Sequence, residues 1–498
     1  MTHLAAAWSR FFFVPGAVLL FLMPAPQSSA PEPLVLNRQA ELFLQDQVWI
    51  ESSSGLTLVQ PQVRRHPANP LLVIDRPWEE TGILNYVCVM HDTEEGLYKM
   101  WYQILSAQKP DGTPADPDDA ASRSRCLYAV SKDGIRWEKP MLGLVDFRGS
   151  KQNNIAFIDP NPKPRGTPVY WVIKDYSELD PAQRYKMLYN LWDFRGRGVA
   201  TAYSPDGIRW TFPQYANLLG GFDAQNIFFW DDRIGAYAGY LRARIGGKRT
   251  SARATSPDAR HWSSPVTVDR NLPPDPPDWE PYGPGVFKYT RARHVYVMYA
   301  AGWDARTGVF EGNLGLSRDG ISWFRFPAPN FLAVQPDRWD RGGVMPIPAE
   351  TAVDGQTGVY YVASDHGFHD WVGKRGVGLA LFPEGGFAGW RADGEGTLTT
   401  RLVEAVDLRP SLFLHLATEA GEVRAELLDR NGAVLPGYGS AECEPLTRGG
   451  TAVGVKWKGN ASLEKVIAQG PFKIRLRVRR ATLFGFRVVA PGGLKALF

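Results

Sequence analysis

Short apolar and aromatic runs, separated by clusters of glycine, proline and aspartate, make up most of the chain. Residues 97–102 and 294–299 are two examples. Runs of this length, without a helical spacing of apolar positions, are typical of β-strands between turns. Together with 50 glycines and 39 prolines among 498 residues, the pattern predicts an all-β protein.

A seven-residue phrase is the clearest repeat in the sequence. It reads Ser-x-Asp-Gly-Ile-x-Trp at residues 131–137, 204–210 and 317–323, and Ser-Pro-Asp-Ala-Arg-His-Trp at 256–262. The copies start roughly 50 to 75 residues apart, which suits one four-stranded propeller blade with its loops. A degenerate fifth copy occupies residues 381–390. We therefore predict a five-bladed β-propeller.

The chemistry of the phrase is that of a tight hairpin. Asp-Gly supplies the positive φ that a short turn needs, and the serine and aspartate side chains can bind the turn backbone. The tryptophan then starts the next strand and packs between blades. We therefore interpret the phrase aspartates as turn residues without a catalytic role: Asp133, Asp206, Asp258 and Asp319.

The pattern changes near residue 394, where blade phrases end and apolar and polar residues alternate. Alternation of this kind predicts half-buried strands of a β-sandwich. The expected domains are a signal peptide or N-terminal anchor over residues 1–30, a five-bladed propeller over 31–395 and a β-sandwich over 396–498.

The N-terminus has the layout of a secretory signal. Arg10 precedes an apolar run over residues 11–23, and small residues follow up to Ala30. The run is short for a membrane span and is interrupted by a Pro-Gly pair. We expect a secreted or periplasmic protein with no stable membrane insertion after signal cleavage. An uncleaved anchor stays open, because Pro31 after the cleavage position is unfavourable.

Charge and cysteine content narrow the range of partners. The formal charge is +4, and no long Lys/Arg run stands out, so nucleic acid is not expected as a partner. Cys88, Cys126 and Cys443 form no metal-ligand pattern. We expect buried thiols, with one disulfide left open by the oxidising compartment. No cofactor and no metal site are expected, although a structural ion in the propeller channel is compatible with the sequence.

Several segments carry a resemblance to a known family. These are the blade phrases, residues 42–46, 78–80 and 223–226, and the C-terminal stretch 425–432. They resemble secreted bacterial five-bladed propeller proteins of the glycoside hydrolase family 32-like or 43-like type. The family 32 motifs are not intact, because the only Glu-Cys pair, at Glu442, lies in the expected sandwich. The resemblance implies carbohydrate as substrate and acidic residues converging at the central funnel from the innermost strands.

Glycoside cleavage needs two carboxyl groups facing the sugar, one acting as acid and one as base or nucleophile. The starts of the blades offer Glu80, beside Glu79, as base or nucleophile, Asp223 as a substrate-fixing or tuning carboxylate, and Glu280 as the acid. Their simpler interpretations are a solvated loop pair, a strand-capping aspartate and an inter-blade salt bridge. Asp175 is a weaker candidate.

The expected substrate-binding residues are aromatic or polar neighbours of these carboxylates. They are Trp78, Gln225, Arg242, Tyr282, Trp339, Asp340 and His366, with Trp279, Arg244 and His369 as further funnel candidates. Two other functions stay open. The funnel could bind glycan without catalysis, or the propeller could be purely structural or protein-binding, with its central acids paired to Arg or Lys.

Overall fold

The chain was analysed as a computed structural model, which describes residues 32–36, 39–80, 82–105, 124–158, 170–193, 196–211, 214–219, 225–268, 278–292, 294–327, 330–369, 373–407 and 410–490. The expected signal or anchor over residues 1–30 lies outside these ranges. Within them, no helix has the length and apolar character that a membrane crossing requires.

Five antiparallel sheets form the blades of a β-propeller, as the repeats predicted. Blade one contains Ile83–Asp92, Leu97–Leu105, Arg125–Ser131 and Ile155–Ile158; blade two contains Tyr170–Lys174, Tyr185–Asp193, Gly196–Ser204 and Gln214–Leu219; blade three contains Ile227–Asp231, Ala236–Ile245, Lys248–Ser256 and Val266–Thr267. Blade four contains Trp279–Gly283, Val286–Lys288, Tyr296–Asp304, Phe310–Ser317 and Phe324–Arg325. A 3-10 helix, Pro181–Gln183, lies in blade two.

Blade five is completed by the N-terminal part of the chain. Its strands Gly343–Pro346, Ala352–Val353, Gln356–Ser364 and Arg375–Pro383 are followed in the sheet by Arg64–Arg65 and Leu72–Val73. The strand Gln356–Ser364 also contacts the first strand of blade one, so the ring closes. Arg65 fixes the closing strand, because its Nε lies 3.1 Å from the buried Asp340 carboxylate.

The repeated phrases are hairpin turns, as expected. The serine Oγ accepts from the glycine N–H at 2.9 Å in each of the three Asp-Gly copies. The aspartate Oδ1 accepts from the backbone N–H groups two and three residues later, for example those of Ile135 and Arg136 at 2.8 Å. Gly134 has a φ of 74°, and Ala259 adopts a φ of 60° in the copy that lacks glycine.

These turns also join neighbouring blades. Trp101 in blade one donates to the Gly207 carbonyl of blade two at 2.7 Å, and Tyr360 in blade five donates to the Gly134 carbonyl of blade one at 2.6 Å. Tyr240 in blade three makes the same contact with Gly320 of blade four at 2.9 Å. Each phrase thus carries an acceptor for the adjacent blade.

A second set of inter-blade contacts lies where the innermost strands end. The buried Asp92 accepts from Tyr185 of blade two at 2.8 Å, and Asp231 accepts from Tyr296 of blade four at 2.6 Å. Asp175 accepts from Tyr237 in the same way. Asp175 also pairs with Lys186, at 3.2 Å. These contacts support a structural role for Asp175 at the seam between blades two and three, and its weaker candidacy as a catalytic group stays a prediction.

The C-terminal strands form a seven-stranded sheet that includes N-terminal strands. Its members are Glu41–Leu42, Ile50–Ser54, Thr57–Val59, Gly389–Thr400, Ser411–Leu428, Gly450–Gly454 and Lys473–Val489. A separate parallel pair joins Leu34–Leu36 to Val403–Ala405, and the one α-helix of the described chain is Glu464–Ile467. The two-layer sandwich stays a prediction.

This pairing changes the expected domain limits. Residues 34–59 were expected in the propeller over 31–395, but their strands pair with the C-terminal strands, and the first blade strand is Arg64–Arg65. The fifth phrase differs as well, because Trp390 enters the C-terminal sheet instead of a fourth blade strand. That place in blade five is already occupied by the closing strands.

The two units share a packed boundary. One apolar cluster combines Leu42 and Leu44 with Phe287, Tyr289 and Phe387. Arg318 of blade four adds an ion pair to Asp46, with Nε 2.6 Å from Oδ2. The three cysteines are buried and free, so the disulfide left open by the sequence is not formed. Burial raises the pKa of the Cys88 thiol to about 12.

Candidate functional site

The innermost strands surround a channel, and the end at which these strands begin is here called the upper mouth. Its described residues come from three blades and the loop of blade five: Tyr86, Gln225, Arg242, Arg249, Glu280, Tyr282, Trp303 and His369. Gln225, Arg242, Glu280 and Tyr282 were predicted as site residues from the sequence, and His369 was a further funnel candidate.

Tyr282 is the centre of the upper mouth. The guanidinium carbons of Arg242 and Arg249 each lie 5.0 Å from the centroid of its ring. Arg249 also lies 4.7 Å from the Trp303 ring, and the Tyr282 hydroxyl is 3.3 Å from His369 Nε2. At these distances a guanidinium group is attracted to the face of the aromatic ring. The mouth therefore presents rigid aromatic rings beside several hydrogen-bond donors.

Glu280 is the carboxylate of this group. It is positioned by the strand Trp279–Gly283, opposite Trp303, and its Oε2 lies 2.5 Å from Arg249 Nη1. Burial raises the pKa of Glu280, but the hydrogen bond and charge of Arg249 outweigh it, so the pKa lies below the ordinary value. The sequence analysis gave Glu280 as the acid, a role that requires a raised pKa, whereas the pair with Arg249 favours the ionised form.

A small cavity lies beside the upper mouth. It measures about 30 Å³ between Tyr86, Gln225, Tyr282 and Met345, which leaves room for little more than a water molecule. Burial and the neighbouring Tyr282 raise the pKa of Tyr86, whose hydroxyl therefore stays protonated at neutral pH.

The opposite end of the channel, here called the lower funnel, opens into a cavity of about 620 Å³. All five blades line it, through the ends of their innermost strands. Its aromatic residues are Trp171, Tyr176, Phe228, Phe229, Trp230 and Phe287, and its charged residues are Lys174, Asp175, Asp232, Lys288 and Glu350. The sequence analysis did not identify this cavity.

The acids expected in blade one lie in different surroundings. Glu79 is buried, accepts from Tyr102 at 2.6 Å and pairs with Lys139 at 2.8 Å. Glu80 is exposed. The Trp78 indole donates to Asn154 at 2.6 Å. The contacts of this segment thus run to blade one itself, and a catalytic role for Glu80 and a sugar-binding role for Trp78 stay predictions.

Three further site predictions fall on blade five. Asp340 is buried against Arg65 and Tyr361, and Trp339 stacks on Tyr361 with 6.0 Å between centroids. These contacts belong to the closing strand of the propeller. His366 is about half exposed, with Nδ1 2.9 Å from Asp365. Their substrate contacts stay predictions, as does the role of Asp223, which lies outside the described residues.

The remaining funnel candidates divide between surface and packing positions. Arg244 is exposed and donates to the Gly247 carbonyl at 2.9 Å. Trp279 lies under the Arg325 guanidinium, 4.2 Å from its carbon. Tyr86, Arg249 and Trp303 are the mouth residues that sequence reasoning missed. Strand pairing could have identified two of these residues. Trp303 pairs with the predicted Glu280, and Arg249 pairs with the funnel candidate Arg244 on the neighbouring strand.

Fold and site together define a five-bladed β-propeller with an arginine-rich and aromatic channel mouth. No protein-family model matches the chain, and no curated protein matches it. Three solved structures show the extent of the likeness. A glycoside hydrolase family 43 arabinoxylan arabinofuranohydrolase from Bacillus subtilis, in complex with cellotetraose, is 14% identical, covers 85% of this chain and 98% of its own, and gives a TM-score of 0.39.

A glycosyl hydrolase from Bacteroides ovatus is 16% identical, with 69% of this chain and 96% of that chain covered and a TM-score of 0.43. A β-1,2-mannobiose phosphorylase from Listeria innocua is 14% identical, with 64% and 96% covered and a TM-score of 0.43. At these identities and TM-scores, the likeness assigns no activity to this chain.

Proposed function

We propose that the protein is a glycoside hydrolase that cleaves an extracellular oligo- or polysaccharide at the upper mouth. The supporting observation is the convergence of Tyr282, Trp303, Arg242 and Glu280 from three strands of two blades on one end of the channel. Aromatic faces with a few fixed polar groups are the usual composition of a small-molecule site. Sugars offer both C–H faces and hydroxyl groups to such a surface.

The carboxylate roles follow from the surroundings of Glu280. Because Arg249 keeps it ionised, Glu280 suits a base, a nucleophile or an acceptor for a sugar hydroxyl. The proton donor must then be a second carboxyl group. We assign this role to Asp223, two residues before the cavity-lining Gln225. The assignment differs from the sequence analysis, which gave Glu280 as the acid, Glu80 as the base or nucleophile and Asp223 as a substrate-fixing or tuning carboxylate.

Arg242 and Arg249 would position the substrate. Burial lowers the pKa of Arg242, although Tyr86 and Tyr282 oppose this effect, and an arginine stays charged at neutral pH. Guanidinium groups held on aromatic faces can donate to sugar oxygens in a fixed orientation. Fixed donors lower the entropy cost of binding.

One observation favours glycan binding without catalysis as a second candidate. The described carboxylates Glu79, Glu280 and Asp340 all have a cationic partner within 3.1 Å. Carboxylates neutralised by Lys or Arg can accept hydrogen bonds from hydroxyl groups without taking part in proton transfer. In this case the upper mouth would hold the sugar and leave its linkage intact.

A hydrolysis screen of the purified full chain distinguishes the two candidates. Chromogenic furanosides and pyranosides serve as substrates, and titration calorimetry with oligosaccharides measures binding. Glu280→Gln and Asp223→Asn keep side-chain shape and remove the ionisable group, and Glu464→Gln on the exposed C-terminal helix is the matched control. Hydrolysis is expected to fall by two orders of magnitude or more in the first two variants and to stay unchanged in the control.

Other outcomes decide against hydrolysis. Oligosaccharide binding without turnover would establish the glycan-binding candidate. An unchanged turnover in Glu280→Gln on an identified glycoside would exclude the proposed roles. If the chain neither bound nor cleaved any saccharide in the screen, both candidates would be rejected.

We further propose that the protein is exported to the periplasm or the medium. The support is the signal-like layout of residues 10–30, with the uncleaved anchor as the alternative. Cell fractionation with N-terminal sequencing of the recovered protein tests it. A full-length chain in the cytoplasmic fraction would contradict export, and a full-length chain in the membrane fraction would favour the anchor.

A further inference from the structure

The lower funnel has the dimensions of a second ligand site. Its cavity of about 620 Å³ lies within the roughly 300–1,000 Å³ typical of small-molecule sites. The described residues around Tyr86 and Tyr282 line a much smaller cavity, of about 30 Å³. The lower funnel is lined by a largely different set of residues and needs its own explanation.

The aromatic wall of the lower funnel is held rigidly. The Trp171 indole donates to the Phe228 carbonyl at 3.1 Å, which fixes its plane. Trp230 packs edge to face on Tyr237, with 5.1 Å between centroids. Trp230 is half-buried and therefore keeps part of its ring accessible. Rings fixed in this way need little reordering when a ligand binds.

The charged groups of the lower funnel are compensated locally. Lys174 pairs with Asp92 at 2.8 Å and with Glu94 at 2.9 Å. Lys288 pairs with Asp232. A free ion would gain little from charges that are already neutralised. A purely apolar ligand would remove these pairs from water without replacing their hydrogen bonds, which is unfavourable.

Glu350 gives the cavity a directional polar group. Its two carboxylate oxygens accept from the backbone N–H and the hydroxyl of Thr290, both at 2.9 Å, and Arg291 lies 3.9 Å away. Each carboxylate oxygen has a second acceptor site. A ligand hydroxyl can therefore donate to Glu350 without displacing Thr290.

We propose that the lower funnel binds a neutral, polyhydroxylated ligand of oligosaccharide size, with Trp230 as the ring platform and Glu350 as the hydroxyl acceptor. The selection of a saccharide among neutral polyols rests on the proposed function. The site itself needs no hydrolysis at the upper mouth. It would give the propeller two saccharide contacts on opposite faces, which raises the avidity for a long or branched polymer.

The test uses the full chain and titration calorimetry with cellotetraose, xylotetraose and mannotetraose as separate probes. Glu350→Gln is expected to weaken binding of the preferred probe at the lower funnel about tenfold, the usual effect of losing a charged hydrogen-bond partner. Thr290→Val, which keeps the shape of the side chain, is expected to act in the same direction. Arg249→Met at the upper mouth is the matched control and should leave this binding step unchanged.

Hydrogen exchange locates the bound probe. Protection is expected in the hairpins around residues 231–236 and 288–296, which border the lower funnel. Protection confined to residues 245–248 and 365–369, or a loss of binding in Arg249→Met alone, would overturn the proposal. No binding of any probe at millimolar concentration, or binding only of the apolar dye 8-anilinonaphthalene-1-sulfonate, would overturn it as well.

This test is independent of the hydrolysis screen. Loss of turnover in Glu280→Gln concerns the upper mouth alone, and the lower-funnel variants are expected to keep full turnover on a short chromogenic substrate. Failure of the screen would therefore reject the hydrolase while leaving the lower-funnel binding measurement to decide the second site.

Discussion

The two ends of the channel are built from the same innermost strands, yet they use charge differently. At the upper mouth, Arg242 and Arg249 both lie against the ring of Tyr282. At the lower funnel, buried charges are combined into ion pairs that also join blades, such as Asp92 with Lys174. The difference indicates that the lower end relies on ion pairs to join its blades, while the upper mouth adds to its one inter-blade pair, Arg249 with Glu280, two guanidinium groups against the same ring.

The largest expected effect comes from breaking the charge network beside the lower funnel. Asp92 is fully buried and binds Lys99, Lys174 and Tyr185. Burial raises the pKa of Asp92, but the lysine partners outweigh it and hold the pKa well below its ordinary value. Asp92→Asn leaves two buried ammonium groups with weaker partners, so the free energy of unfolding should fall by about 3–5 kcal/mol.

Urea denaturation at neutral pH measures this loss. Tyr185→Phe is the control, because it removes the hydroxyl that donates to Asp92 and accepts from Lys99 but keeps both ion pairs, so its expected loss is smaller than that of Asp92→Asn. If Asp92→Asn cost no more than Tyr185→Phe, the network would be a minor contributor and the proposed contrast between the two ends would fail.

A smaller effect on stability is expected at the upper mouth. Arg249→Met removes a partly exposed ion pair, which should cost no more than about 1 kcal/mol. The pKa of Glu280 should rise, because the cation that favours its ionised form is lost. The acid limb of the pH–rate profile should therefore move to higher pH.

Nuclear magnetic resonance of labelled glutamate carboxyl carbons measures the same change without turnover, with Glu280→Gln identifying the signal. Arg244→Met on the exposed hairpin removes a cation that acts more weakly on Glu280, so it should raise the Glu280 pKa by less than Arg249→Met does. A Glu280 titration that is identical in Arg249→Met and in the unchanged protein would show that the ion pair does not set the charge state of the mouth.

The smallest expected effect is a pH dependence at Glu350. Burial raises its pKa, and the hydrogen bonds from Thr290 only partly offset this. A carboxyl group with a raised folded-state pKa contributes stability below its unfolded pKa and loses that contribution as pH rises through the folded value. Glu350→Gln should therefore gain stability relative to the unchanged protein between pH 4 and pH 7. A thermal unfolding series across that pH interval measures it, and a constant difference would contradict the assignment.

The repeated phrase allowed the blades to be predicted, but not the contacts between them. Turn chemistry is local, so the roles of Asp133 and Gly134 can be inferred from adjacent residues. The donor to the Gly134 carbonyl, Tyr360, is 226 residues away. The closing strands Arg64–Arg65 and Leu72–Val73 contain two residues each and are too short to show an alternating pattern.

The candidate site was predictable only in part. The blade-start rule pointed to Glu280 because an innermost strand must reach the channel, and Glu280 lies at the upper mouth; its catalytic role stays a prediction. Its ion pair with Arg249 could not be predicted, since that contact depends on how two neighbouring blades are oriented. Of the neighbouring Glu79 and Glu80, the sequence analysis selected Glu80. It could not show that Glu79 is the buried one, because Glu79 pairs with Lys139, sixty residues later in the chain.

The order of strands in the C-terminal sheet constrains how the chain can fold. Lys473–Val489, the described strand latest in the sequence, pairs with both Gly389–Thr400 and Ser411–Leu428 and so occupies the middle of the sheet. Until it emerges during synthesis, its neighbours carry unpaired edges that can associate with other chains. Contacts between residues near 41 and 486 also make the topology strongly non-local, which slows folding. A chain shortened before residue 473 should therefore aggregate, even though every blade of its propeller is already complete.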